Sequence, residues 1–176
     1  MTTKEISETA ILTARAHELL HEDSTPAVFL ETLEKQELFD DAVRFLAHKL
    51  SAEAGVKWAL ACFRELESPE QKARKDESKE AAENWTLAPS DTTRWAARDA
   101  ADRSTVTSPA NLLAMGVFMS GGSISPPQSP EIQPPPYTAQ KMISGCVTGT
   151  VLMYQPENAA KRYKRALELG READRS

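Results

Sequence analysis

Residues 109–120, PANLLAMGVFMS, and residues 139–154, AQKMISGCVTGTVLMY, decide how this chain folds. Coiled as helices, both show apolar or small side chains on every face, and Lys141 is the single charge in them. They lie in a longer interval, Ser104 to Pro156, whose only charged residues are Glu131 and Lys141, although 27% of the chain is charged. At that average the interval would hold about fourteen charges, so it is either the buried centre of the fold or a surface that another molecule covers. Two central helices are the expectation. Gly145 and Gly149, one turn apart beside Ser144 and Thr148, give the second of them a smooth face for close packing.

Outward from this pair, helix-opening signals repeat along the chain. Thr25-Pro26, Ser68-Pro69, Ser108-Pro109 and Gln155-Pro156 put proline where a first turn tolerates it, and Ser51, Ser90 and Thr138 are further candidate caps. The signals predict helices near 5–21, 26–36, 38–50, 52–67, 69–86, 91–103, 109–120, 139–154 and 157–172, with no strand. Phe39, Ala42, Val43, Leu46 and Leu50 form one apolar stripe, and Val56, Ala59, Leu60 and Phe63 another. The 69–86 segment is mostly charged and is expected to dock at the periphery through Trp85. The fold class is therefore all-α: a compact single-domain array of eight or nine short helices, packed as helical hairpins around two central apolar helices. Residues 1–24 are expected to form a loosely attached N-terminal helix, and residues 25–176 a helical domain with a proline-rich loop at 121–137.

Charge narrows the function classes. With 21 basic and 26 acidic residues, the net charge of −5 argues against a nucleic-acid partner, which would call for clustered Lys and Arg. Acidic groups prevail through residue 105 and basic ones slightly after it. The first residues are polar and acidic where a secretory signal would be apolar, and the charge-free apolar runs are shorter than the ~20 residues that span a bilayer. Cys62 and Cys146 lie among apolar residues and read as buried thiols. No membrane partner and a cytoplasmic location are expected.

Three motifs raise the question of chemistry. His17-Glu18-Leu19-Leu20-His21 matches the H-E-x-x-H pattern, in which one helical turn brings two imidazoles to a zinc ion and the glutamate activates a water. Here Arg15 precedes it, Glu22-Asp23 follow, and no third ligand presents itself, so partly exposed helix residues are the expectation. His48 stands at a helix end, where a cation meets the helix dipole favourably. Ser120-Gly121-Gly122-Ser123 lacks the lysine and spacing of a phosphate loop, and Gly121 is expected to end the helix in a left-handed conformation. Lys161, Arg162, Lys164 and Arg165 read as a solvated face. The sequence therefore predicts no catalytic residues, no cofactor and no metal. The prolines at 126, 127, 130 and 134–136 favour extended geometry, forming a strap pinned by Ile124, Ile132 and Tyr137 that can also serve as a rim for a partner.

The run Phe39-Asp40-Asp41-Ala42-Val43-Arg44-Phe45-Leu46-Ala47-His48, then Trp58-Ala59, Trp85, Phe118 through Ser123, the paired and tripled prolines, Arg162-Tyr163 and Leu167-Glu168-Leu169-Gly170 resemble an uncharacterised bacterial family. Its genes tend to lie near type VI secretion loci, and the likeness runs from about Pro26 to Ala173. The resemblance implies a cytoplasmic, non-enzymatic accessory of that machine. An adaptor or co-chaperone for effector loading comes first, an immunity protein that binds a cognate toxin second, and a small zinc hydrolase using His17, Glu18 and His21 third. The partner would be another protein: a secretion adaptor, an effector or a spike component. Candidate contacts are Trp95, Phe118, Met119, Ser120, Gly121, Gly122, Pro126, Pro127, Pro134, Pro135, Pro136 and Tyr137.

Overall fold

The computed structural model describes residues 1–104, 108–126 and 128–175. Among these are α1 (Thr3–Ala10), α2 (Ala14–Glu18), α3 (Pro26–Lys35), α4 (Phe39–Lys49), α5 (Ala52–Leu66), α6 (Pro69–Ala73), α7 (Glu77–Leu87), α8 (Asp91–Arg103), α9 (Pro109–Phe118), α10 (Thr138–Leu152) and α11 (Ala159–Ala173), with no strand. Thr25, Ser51, Ser68, Ser90 and Ser108 each accept a hydrogen bond from an amide of the first turn they precede, which satisfies donors that a helix start leaves free. Thr138 does not cap. Tyr137 precedes α10 in a left-handed conformation, φ 60°, and the Thr138 hydroxyl donates back to the Pro135 carbonyl at 2.8 Å. Gln155-Pro156 opens only a short 3-10 turn, Pro156–Asn158, before α11.

Two predicted helices are each broken in two. The 5–21 segment stops at Ile11, whose φ of 52° ends α1; α2 then starts behind Thr13. Buried Asp41 fixes that break, because its carboxylate accepts both the Thr13 amide and the Thr13 hydroxyl at 2.8 Å. Ile6, Ala10, Leu12 and Ala16 join the same apolar cluster as the rest of the chain. The 69–86 segment breaks between Ala73 and Glu77, where Asp76 turns inward to accept the amides of Ser78 and Lys79 and starts α7. In both places a side chain that competes with the backbone resets the chain, at an energy comparable to the local helix preference it opposes.

α10 packs against α9, α5, α4 and α11, and α9 packs against α10, α8, α7 and α5, so the uncharged pair stands at the centre. Gly149 lets α9 close in, since a Cβ there would lie 3.1 Å from Pro109 Cγ. Enclosure is incomplete along one edge, where Lys141 is exposed and Gly145 and Thr148 only partly covered. Behind α10, the Phe29 and Phe45 rings meet edge to face at 5.0 Å, and fully buried Trp58 donates its Nε1–H to the Ala166 carbonyl at 2.6 Å. α11 reaches Trp58 because Gly170 has no side chain: a Cβ there would fall 2.9 Å from Trp58 Cε2 and 2.5 Å from Leu46 Cδ2.

Arg162 is the main departure from the expected solvated face. Only 8% exposed, it donates Nε–H to the Val151 carbonyl at 2.7 Å and Nη2–H to Leu66 and Thr150 at 2.8 and 3.0 Å. These carbonyls end α5 and α10, where helix geometry leaves acceptors unsatisfied and the dipole is negative. One guanidinium thus joins three helices. Lys161 and Lys164 do face solvent, and Arg165 pairs with Glu65 at 2.7 Å. Cys62 and Cys146 are free and fully buried; burial raises both thiols well above their ordinary range and keeps them inert. Among the described residues no helix is long and apolar enough to cross a membrane.

Candidate partner-binding rim

α9 ends at Phe118, and the chain then crosses from Met119 to Tyr137 before α10 begins. Arg94 of α8 organises the first part of that crossing. It is 4% exposed and donates Nη1–H to the Phe118 carbonyl at 2.7 Å, Nη2–H to the Ser123 carbonyl at 2.8 Å and Nε–H to Asp91 at 3.0 Å. Bonds of this kind, with a charged donor, are shorter and stronger than those between neutral groups. The turn between the two carbonyls is therefore held from beneath. Its left-handed residue is Gly122, with φ 65°, and not Gly121 as the sequence suggested. A Cβ at 122 would also lie 2.8 Å from Arg94 Nη2, so glycine serves both the turn and the clamp.

Hydrogen bonds, and not apolar pins, shape the rest of the loop. The Ile124 amide donates to the Ile132 carbonyl at 2.8 Å, the Ile132 amide donates to Ser123 Oγ at 3.2 Å, and the Ser123 and Ser125 hydroxyls lie 2.8 Å apart. Ser129 closes a tight turn onto Pro126 at 2.9 Å. Ile132 is exposed and Ile124 half-buried, so of the predicted pins Tyr137 alone packs its side chain against the helices, and serine hydroxyls with the Ile124–Ile132 backbone bond hold the rest. Prolines lack amide donors, which leaves hydroxyls as the means of tying down such a segment.

The candidate contacts fall into two groups. Phe118 is buried, 3% exposed, and meets the edge of half-exposed Trp95 at 4.9 Å. The Arg98 guanidinium carbon lies 5.2 Å from the Trp95 ring and 5.6 Å from Phe118, and Arg94 stands over both rings. Cations over aromatic faces fix ring orientation and leave the outer Trp95 surface for contact. Beside them Met119, Ser120 and Gly121 are half-buried and Gly122 is exposed. Farther along, Pro126, Pro135, Pro136 and Tyr137 are exposed and Pro134 is half-buried, while Pro127 lies outside the described residues.

Tyr137 closes the loop against His48. Their rings are 5.7 Å apart and tilted by 34°. His48 is not the cation at a helix end that its position suggested: it is 3% exposed, its Nδ1–H donates to the Arg44 carbonyl at 2.9 Å, and burial lowers its pKa. Its neutral form is therefore the one present near pH 7.

The H-E-x-x-H segment meets a different fate. α2 ends at Glu18, the Leu19 and Leu20 amides tighten onto Ala16 and His17, and His21 lies beyond the helix. The one-turn spacing that would align two imidazoles is lost; both histidines are exposed and Glu18 pairs with Arg15 at 3.1 Å. Among the described residues no three His, Cys, Asp or Glu side chains converge on a point that could hold a metal ion.

Arg94 and Arg98 escaped the sequence reading. A signal was present, since Arg94 falls three and seven residues before Ala97 and Ala101 and so shares the buried face of α8. Searches of curated proteins and of solved structures return nothing similar to this chain. The sequence model of one family matches residues 29–173, and the chain belongs to that family, described as a family of unknown function (DUF6931).

Proposed function

We propose that this protein is a non-enzymatic, protein-binding accessory of bacterial type VI secretion, an adaptor or co-chaperone for effector loading that works in the cytoplasm. The secretion setting rests on the sequence resemblance. The binding role rests on one observation: a proline-rich loop, costly in backbone donors and useless to the core, is clamped by a buried arginine and a chain of serine hydroxyls beside a half-exposed tryptophan. Ordering a loop before the partner arrives removes an entropy cost from association, which is how a small rim gains affinity. Trp95 is the anchor, since large aromatic groups over a fixed pocket dominate interface energies. Gly121, where a Cβ would meet nothing within 4 Å, and the exposed prolines let a second backbone approach.

The decisive experiment is affinity capture of the tagged chain from its native cell after crosslinking, read by mass spectrometry. A spike component, secretion adaptor or effector is expected in the captured material and is expected to be lost with Trp95→Ala plus Pro135→Ala, while Lys164→Ala on exposed α11 retains it. Capture of a lone toxin in place of those proteins would replace loading by immunity. Retention of the partner by the double variant would overturn the rim.

A further inference from the structure

A second surface begins where the rim ends. α4 and α10 lie side by side, the end of α1 crosses them at Ile11, and a groove of about 370 Å³ opens among Ile11, Asp40, Arg44, His48, Lys141 and Thr148. Most polar groups here are already matched. Asp40 pairs with Arg44 and accepts the Thr148 hydroxyl at 3.0 Å, and Arg44 also donates to the Ile11 carbonyl at 3.3 Å. Two groups remain. Exposed Lys141 has no carboxylate within ion-pair distance among the described residues. His48 Nε2 is the only buried side-chain nitrogen or oxygen among the described residues that lacks a hydrogen-bond partner. A group left in that condition costs about 1–3 kcal/mol, and native proteins keep few of them without a reason.

We propose that this groove receives the carboxylate of an acidic side chain on a partner protein, held jointly by Lys141 Nζ and His48 Nε2. The charge accounting selects the ligand. Asp40 and Arg44 cancel and Lys141 leaves one positive charge beside a neutral imidazole, so the groove attracts an anion. The flanks select its source: Ile11, 63% exposed, and Tyr137, 36% exposed, offer apolar surface that an attached peptide covers and a free ion does not. Tyr137 packs on the imidazole with ring centroids 5.7 Å apart, so its side chain is required to rotate aside and admit the carboxylate.

Protonation follows from the hydrogen bonds. Nδ1 carries the proton that goes to the Arg44 carbonyl, so Nε2 presents a lone pair, and two acceptors cannot bond to each other. The carboxylate binds by drawing one proton from solvent onto Nε2, making His48 a cation with both N–H groups matched. Burial, the largest influence, and Lys141 on α10 hold the free imidazole below its ordinary pKa, against the Arg44 carbonyl bond, which raises it. Asp40 and Arg44 on its own helix and Tyr137 before α10 are the other ionisable groups at this groove, and α1 contributes only Ala10 and Ile11. The bound carboxylate raises the pKa again, so affinity strengthens as pH falls.

This inference extends the partner-binding reading along the surface through Tyr137. Its test involves neither Trp95 nor the prolines, so its failure leaves the rim standing. The full chain, with ¹⁵N-labelled histidine, is titrated with the capped peptide acetyl-Ala-Glu-Ala-amide and separately with sodium acetate while the imidazole nitrogens are followed by NMR. The peptide is expected to move Nε2 saturably to the shift of a protonated nitrogen, with binding roughly tenfold tighter at about pH 6.5 than at about pH 8. Lys141→Gln, a surface change that leaves folding intact, is expected to weaken binding by roughly tenfold. No saturable change with the peptide, equal affinity at both pH values, or an unaffected Lys141→Gln variant would each overturn the proposal. Acetate binding as tightly as the peptide would overturn the assignment to a partner side chain and make the occupant a free small carboxylate.

Discussion

Arg162 and Arg94 are both buried guanidinium groups that spend their donors on carbonyls at helix ends, yet they do different work. Arg162 bonds only to backbone, joining from α11 the end of neighbouring α10 and the end of α5, which is distant in sequence. Arg94 bonds to the last carbonyl of α9 and to a loop carbonyl five residues later, and it keeps a carboxylate, Asp91, at its outer edge. The first closes an interior. The second stiffens a surface. Helix C-termini carry unsatisfied acceptors and partial negative charge, so an arginine can be buried beside them without an acid partner; what the arrangement achieves depends on whether the second carbonyl belongs to another helix or to a loop.

Removing each arginine is the way to break that contrast. Arg162→Met is expected to have the larger effect, lowering unfolding free energy by about 3–5 kcal/mol because three buried carbonyls lose their donor together, with denaturant unfolding as the measurement. A change below about 1 kcal/mol would mean that water replaces the guanidinium and the junction is not closed. Arg94→Met should cost less, about 1–3 kcal/mol, and its mark should be local: faster amide hydrogen exchange from residue 120 to 125, with α5 and α10 unchanged. Global loosening in that variant would make the two sites alike. The smallest expected effect sharpens the comparison. Gly122→Ala forces a left-handed alanine against Arg94 and should cost about 1–2 kcal/mol while repeating the local exchange pattern of Arg94→Met.

Much of the architecture was legible because it follows from patterns of two or three residues. The uncharged intervals marked the central pair, proline after serine or threonine marked the starts of α3, α6 and α9, and serine alone marked those of α5 and α8. What escaped depends on contacts across long stretches of chain. No periodicity shows that Asp41 will draw in Thr13 and split the first helix, or that Asp76 will split the sixth from the seventh. Gly145 and Gly149 look equivalent in sequence, but one faces the groove, with Leu112 Cδ1 3.5 Å from where a Cβ would be, and the other is wedged against Pro109. For the candidate rim, the stretch from Phe118 to Tyr137 announced itself through its composition, whereas its braces did not. Arginines invite a solvated reading, and only their register with Ala97 and Ala101, or with Ala166 and Leu169, hinted that Arg94 and Arg162 turn inward.

The distribution of the three indoles makes the molecule its own optical reporter. Trp58 is sealed and bonded to Ala166, Trp85 is nearly covered, and Trp95 alone is half-exposed, under the electric field of two guanidinium groups. A quencher dissolved in the buffer will collide chiefly with Trp95, so a visitor seated there dims or protects one fluorophore while the other two continue to signal an intact interior.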